Sequence, residues 1–225
     1  MLTMDIPAVQ LKRRIEKQLY FLTDFDETPE LDANLFDEAV RRQEESLSKS
    51  IAPQVIRGGG IHFSSMHIGQ YASFLYWLAR SASKENKLLA ERISYLNTCV
   101  NSIWLNHNVD MPEHFYLDHP LGTIIGKANI GDYFGCLQNC TVGAVEKNGQ
   151  LIFPKLGIHV EMLSESSVIG DCTVGNNVIL SANCVVKNQD IPDNCIVFGQ
   201  DRDICIKQLG EKMRKYFSFF DMVSC

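Results

Sequence analysis

Asp118 and His119 stand side by side in the run Leu117-Asp118-His119-Pro120-Leu121-Gly122 of this 225-residue chain, and His119 is of a type that can carry a proton. Histidine titrates near neutral pH, so it can take a proton from a weak hydroxyl nucleophile as a new bond forms. A histidine before Pro120 also fits a turn residue satisfied by a backbone partner, and the residues alone leave both readings open. His107, His114 and His159 lie nearby in the sequence. His159 is expected to point outward, to the surface or to an inter-subunit contact. No paired ligand spacing accompanies these histidines, so no metal is expected. The eight cysteines form no Cys-x-x-Cys pair, which argues against a structural zinc site.

Two kinds of element must position these residues. Residues 1 to about 110 carry apolar residues at helical spacing, over Ala8 to Leu22, Leu31 to Leu47, His67 to Ala82 and Lys84 to Leu105. Gly58-Gly59-Gly60 reads as a loop. The aromatic cluster Phe74, Tyr76 and Trp77 reads as core. This half is expected to serve packing or oligomerisation.

From about residue 120 the period changes to six. Ile130, Cys136 and Val142 form one series, and Leu156, Met162, Val168, Val174, Leu180 and Val186 resume it. A second inward series runs through Ala128, Phe134, Cys140, Val160, Ser166, Cys172, Val178 and Cys184. A period of six matches neither a helix nor a simple hairpin strand. It fits a hexapeptide solenoid, whose short strands form three flat sides, rather than a sandwich of short strands. Cys136, Cys140, Cys172 and Cys184 then fall inside, where a thiol behaves as a small hydrophobe. Ala144 to Pro154 breaks the hexad and is expected to leave the prism as a loop. Asp203 to Phe220 is expected to form a capping helix.

These residues resemble serine acetyltransferases. The resemblance rests on Leu117 to Gly122, Gln138-Asn139-Cys140-Thr141-Val142-Gly143, Pro154-Lys155-Leu156-Gly157, Val185-Val186-Lys187, Ile191-Pro192 and Val197-Phe198-Gly199. Gln70-Tyr71 and Tyr76-Trp77-Leu78 extend it into the helical half, so that it covers about residues 67 to 200. It implies a homotrimer, or a higher multiple of it, with acetyl-CoA in the groove between neighbouring subunits. His119 matches the family's general base and Asp118 its acceptor-binding aspartate. Ala144, Ser164 and Ser181 fall where family backbone groups line the CoA channel, with Ala144 in place of a glycine. The implied fold class is α+β: an N-terminal α-helical domain (1–112), a left-handed parallel β-helix or hexapeptide solenoid (113–203), and a C-terminal helical tail (204–225).

Two departures bear on the acceptor. Where the family has an Arg-His pair before Pro-Lys, this chain has Ile152 and Phe153. An apolar pair cannot supply charge-assisted bonds to a carboxylate. The counterpart of the carboxylate that orients the base is Asn106, with Asp110 nearby but out of register. An asparagine fixes an imidazole but stabilises its cation less than a carboxylate does.

The net charge of −6 gives no basic face for a nucleic acid. No apolar run is long enough for a membrane span. The opening MLTMDIPAVQLKRR lacks the apolar core of a signal peptide, so a cytoplasmic location with reduced thiols is expected. The function implied is O-acetyl transfer from acetyl-CoA to a small-molecule acceptor, serine in the first instance. Acetyl transfer to a sugar or polysaccharide precursor, and a non-catalytic trimeric scaffold, are the alternatives. The ending Phe219-Phe220-Asp221-Met222-Val223-Ser224-Cys225 lacks the family's isoleucine tail, so a cysteine-synthesis partner is not expected.

Overall fold

The computed structural model describes residues 2–23, 29–210 and 217–221. Four helices come first: α1 (Ala8–Leu22), α2 (Ala33–Leu47), α3 (Ile68–Ala82) and α4 (Lys87–Asn101). Their starts follow from capping chemistry. Asp32 accepts from the backbone of Asn34 and Leu35, His67 from Gln70, and Asn86 from Leu89. Helix α3 is buried nearly all round and forms the centre of this half. Phe74 lies between Phe36 and Phe63, while the Tyr76 hydroxyl donates to the Val109 carbonyl. The aromatic cluster is core, as its composition suggests.

Helix α4 stops sooner than its apolar pattern predicts. Ser102 adopts a left-handed conformation (φ 53°) that turns the chain, and Trp104–Leu105 begins the strand region.

From there the strands of the coil are short, parallel and shared among three sheets visited in turn. One sheet contains Trp104–Leu105, Ile124–Ile125, Thr141–Gly143, Ser167–Ile169 and Val185–Lys187. A second contains Phe115–Leu117, Phe134–Cys136, Val160–Met162, Val178–Leu180 and Cys195–Phe198. The third contains Asn129–Ile130, Lys155–Leu156 and Thr173–Val174. All nine residues of the main six-residue series are buried, and so is every member of the second series except the half-buried Ala128. Hydrophobic burial at these positions is what holds one turn of the coil on the next.

The expected excursion after Val142 is a hairpin, Val145–Lys147 against Gln150–Ile152, leaving the coil where the first sheet gives way to the third. The end of the chain differs from the expected helix. Cys205–Gln208 is a strand antiparallel to Cys195–Phe198, and residues 211–216 lie outside the described residues. Phe217, Phe219 and Phe220 then cross the outer face of the second sheet. Phe219 packs on Gly135 and Tyr116, and Phe220 packs on Tyr133. Backbone bonds from Ser50 and Ile51 tie this strap to the helical half.

The strap explains a departure at His159. Its side chain leaves the prism, as its register requires, yet it is buried because Phe217 stacks on the ring at 3.9 Å between centroids. Glu161, facing outward two residues on, is also fully buried and accepts the backbone N–H groups of Ser218 and Phe219. Among the described residues no helix is long and apolar enough to cross a membrane.

Candidate active site

The corner carrying His119 is wider than the corner stacked on it. Leu117 pairs with Cys136 and Ile124 with Thr141, so the lower turn needs two more residues to cover the same distance. The surplus is taken up in a tight loop in which the Leu121 N–H donates to the His119 carbonyl. Gly122, at φ 72°, closes the loop where a Cβ would come within 2.2 Å of the Asn139 amide oxygen. The Thr123 hydroxyl donates to the Leu137 carbonyl and accepts the Cys140 N–H, which fastens the loop to the next turn. His119 therefore projects from the coil with its own φ at 48° and a side chain 68% exposed.

Asp118 lies beneath it. Its Oδ1 is 3.5 Å from His119 Nε2 and 3.6 Å from Nε2 of His67, and it accepts from the Gln54 amide at 3.4 Å. The two imidazole rings are 5.8 Å apart, with their planes inclined at 29°. Behind them Tyr116 is buried. Burial, reinforced by the Asp118 carboxylate, pushes its hydroxyl well above the usual phenol range. The arrangement gives an accessible imidazole beside a half-buried carboxylate, which can accept a proton and balance the cation formed.

His67 and Gln54 were not found by sequence reasoning. Both come from the helical half, and neither has a local motif that points to residue 118, because the contact is made only when the helices pack on the coil.

The other predicted residues divide between two edges. Ser164 lies level with His119 two turns along the same edge, and Ser181 follows on the next turn. The spacing between strands makes the His119 to Ser164 separation about 10 Å along the coil axis. Asn106 and Ala144 lie on the edge at the other side of the first sheet, where the hairpin leading to Ile152 and Phe153 also emerges. The Asn106 side chain accepts the Asn108 N–H within its own turn. No contact among the described residues joins it to His119. Asp110 is paired with Arg80. The first sheet between the two edges exposes Trp104 and Ile124 side by side on its outer face.

The fold, a helical half followed by a three-sheet parallel coil, is similar to that of solved serine acetyltransferases. The enzyme of Neisseria gonorrhoeae superposes with a TM-score of 0.65 at 17% identity, covering 89% of this chain and 82% of the other. That of Brucella abortus gives 0.63 at 17%, covering 86% and 75%. A serine acetyltransferase in complex with CoA gives 0.57 at 17%, covering 89% and 77%. In sequence, too, the chain resembles serine acetyltransferases. It is 29% identical to that of Staphylococcus xylosus over 153 residues, which is 67% of this chain and 70% of the relative. That of Staphylococcus epidermidis is 28% identical over the same length. No family model matches the chain.

Proposed function

We propose that this protein is an acetyl-CoA-dependent serine O-acetyltransferase in which His119 is the general base. The observation that carries the reading is the exposed His119 on its widened corner with Asp118 against it, in a chain whose sequence relatives are serine acetyltransferases. The acceptor hydroxyl attacks the thioester carbonyl as the His119 imidazole takes its proton. Asp118 balances the imidazolium. The tetrahedral intermediate then collapses, the C–S bond breaks, and the imidazolium returns its proton to the departing thiolate. The products are the acetyl ester and free CoA, with no acyl-enzyme formed.

The coil, which opens with Trp104–Leu105 ahead of the expected start at 113, is a left-handed β-helix, the helices before it form the N-terminal domain, and three copies assemble. The division of the predicted residues between two edges supports assembly. One edge carries Asp118, His119, Ser164 and Ser181, and the other carries Asn106, Ala144, Ile152 and Phe153. A single chain keeps these sets apart by the width of the first sheet, whereas edges of adjacent copies can meet across a groove that takes acetyl-CoA. The apolar face of Trp104 and Ile124 suits burial between copies.

A second reading is a sugar acceptor, and Ile152 with Phe153 favours it. Phe153 is 37% exposed at the foot of the hairpin, where an aromatic face can pack a sugar ring. The test is release of free CoA from acetyl-CoA with L-serine and with a panel of sugars, in the natural protein and in His119→Ala. Serine-dependent release that is lost in the variant supports the first reading. Release only with sugars transfers the conclusion to the second, and no release with any acceptor overturns both.

A further inference from the structure

The helical half reaches the Asp-His corner through His67, at the N-cap of α3. We propose that His67 is a positioning residue that holds Asp118 for the reaction through its Nε2–H. The inference rests on the acetyltransferase reading for its kinetic consequence, though not for its structural one.

The argument begins with the proton on the ring. His67 Nδ1 faces the backbone N–H of Gln70 at 3.3 Å. An amide N–H can only donate, so Nδ1 supplies a lone pair and the proton of the neutral ring sits on Nε2. Nε2 is the nitrogen turned toward Asp118 Oδ1. The helix cap thereby selects the tautomer that offers an N–H to the carboxylate. Gln54 presents a second N–H to the same oxygen, and His119 Nε2 approaches it from the solvent side. With three groups converging on Oδ1, the carboxylate is fixed in rotation and Oδ2 is left to meet the acceptor. Separations of 3.4 to 3.6 Å are long for hydrogen bonds. Catalytic contacts of this kind shorten when substrate closes the site.

The ligand atoms of His67, Asp118 and His119 lie within 4.8 Å of one another, a spacing that would also suit a metal ion. The cap argues for the carboxylate contact instead. A ligating histidine normally donates from its second nitrogen, whereas the second nitrogen of His67 accepts. The lone pair a metal would need on Nε2 is occupied by the proton.

Two substitutions separate the cap from the carboxylate contact. His67→Asn places an oxygen where Nδ1 stands and keeps the cap, but is too short to reach Asp118. His67→Gln reaches Asp118 with an amide N–H and weakens the cap. The Asn variant is expected to melt with the natural protein yet lose about tenfold or more in kcat/KM for the acceptor, with KM for acetyl-CoA unchanged. The Gln variant is expected to melt lower and to recover most of that loss. Equal losses in both variants, or a loss that follows melting temperature, would overturn the proposal. Nitrogen-detected NMR of the imidazoles gives a readout independent of turnover. The neutral His67 ring is expected as the Nε2–H tautomer, with an Nε2 resonance that moves in Asp118→Asn. An Nδ1–H tautomer, or no response to Asp118→Asn, overturns the contact even if the protein proves to be an active acetyltransferase. An inactive natural protein showing the expected resonances would instead overturn the enzyme reading alone.

Discussion

Gly69 and Leu117 touch so closely that a Cβ added to the glycine would lie 1.8 Å from the Leu117 carbonyl oxygen. The first turn of α3 is thus seated directly on the strand that ends at Leu117, one residue before Asp118. The helical half and the proton-transfer corner share a backbone contact with no side chain between them.

Gly69→Ala therefore cannot be absorbed by a side-chain shift. It is expected to cost about 3 kcal/mol or more, because overpacking here must move backbone. Since the displaced strand leads directly into Asp118, kcat should fall in whatever protein still folds. Thermal melting together with turnover at a temperature well below the transition checks this, and a melting temperature within a degree of the natural protein would refute it.

His119→Ala removes the group assigned to the acceptor proton. A general base contributes about 10²- to 10⁴-fold, so kcat should drop by that factor while binding of acetyl-CoA persists. Steady-state kinetics with an equilibrium measurement of CoA binding separate the two effects. A variant retaining a tenth of the natural kcat would require another base.

Ile152→Arg combined with Phe153→His restores the charged pair found in serine acetyltransferases. Phe153 is partly exposed and Ile152 sits at the foot of a surface hairpin, so the fold should tolerate both changes. KM for L-serine is expected to fall severalfold, because a guanidinium can hold a carboxylate with paired hydrogen bonds. If serine kinetics stay as they were, these positions do not control acceptor choice.

Glu161 supplies a prediction about pH. Burial under the strap raises its carboxyl from the ordinary 4.5 to about 7, against the lowering effect of the Ser218 and Phe219 N–H groups. The folded protein then holds this proton more tightly than the unfolded chain does. Its stabilising effect is full below about 4.5 and is lost as pH rises to about 7, a change of about 3 kcal/mol. His159, beneath the same strap, has its pKa lowered by burial, so its effect has the opposite sign, with stability lost on acidification. Glu161→Gln keeps Oε1 as an acceptor and removes the charge. It should be more stable than the natural protein at pH 8 by about 1–3 kcal/mol and should converge with it toward pH 5. Calorimetry at the two pH values decides, and a variant less stable at pH 8 would show that the charged carboxylate holds the strap.

The coil was legible because its signal is repetitive. Each flat side must bury residues at the same two positions, so Val168, Val174, Leu180 and Val186 report one geometry four times. Asp118 and His119 were legible because they adjoin that pattern. What escaped was contact between distant segments. His67 reads as an ordinary helix start until α3 is seated on Leu117. His159 reads as exposed because its outward register says nothing of Phe217, more than fifty residues later. The three phenylalanines near the end fit a helical stripe as well as they fit a strap, and only the outer groove at Gly135 distinguishes the two. Asn106 was expected beside His119, yet within one chain it lies on the other edge. Sequence alignment gives an order of residues and carries no information about which copy supplies them.

The short strand Cys205–Gln208 has a consequence for self-association. A stack of parallel turns finishes in a row of unsatisfied backbone donors and acceptors, which is a template for another chain to extend. Here the final strand of the second sheet is met by a segment running the opposite way, with Lys207 holding its ammonium 5.4 Å above the Phe198 ring. A further parallel turn finds the wrong polarity and a positive charge at its docking edge. The reversed strand acts as a stopper that keeps a fold built by repetition from growing into a fibre.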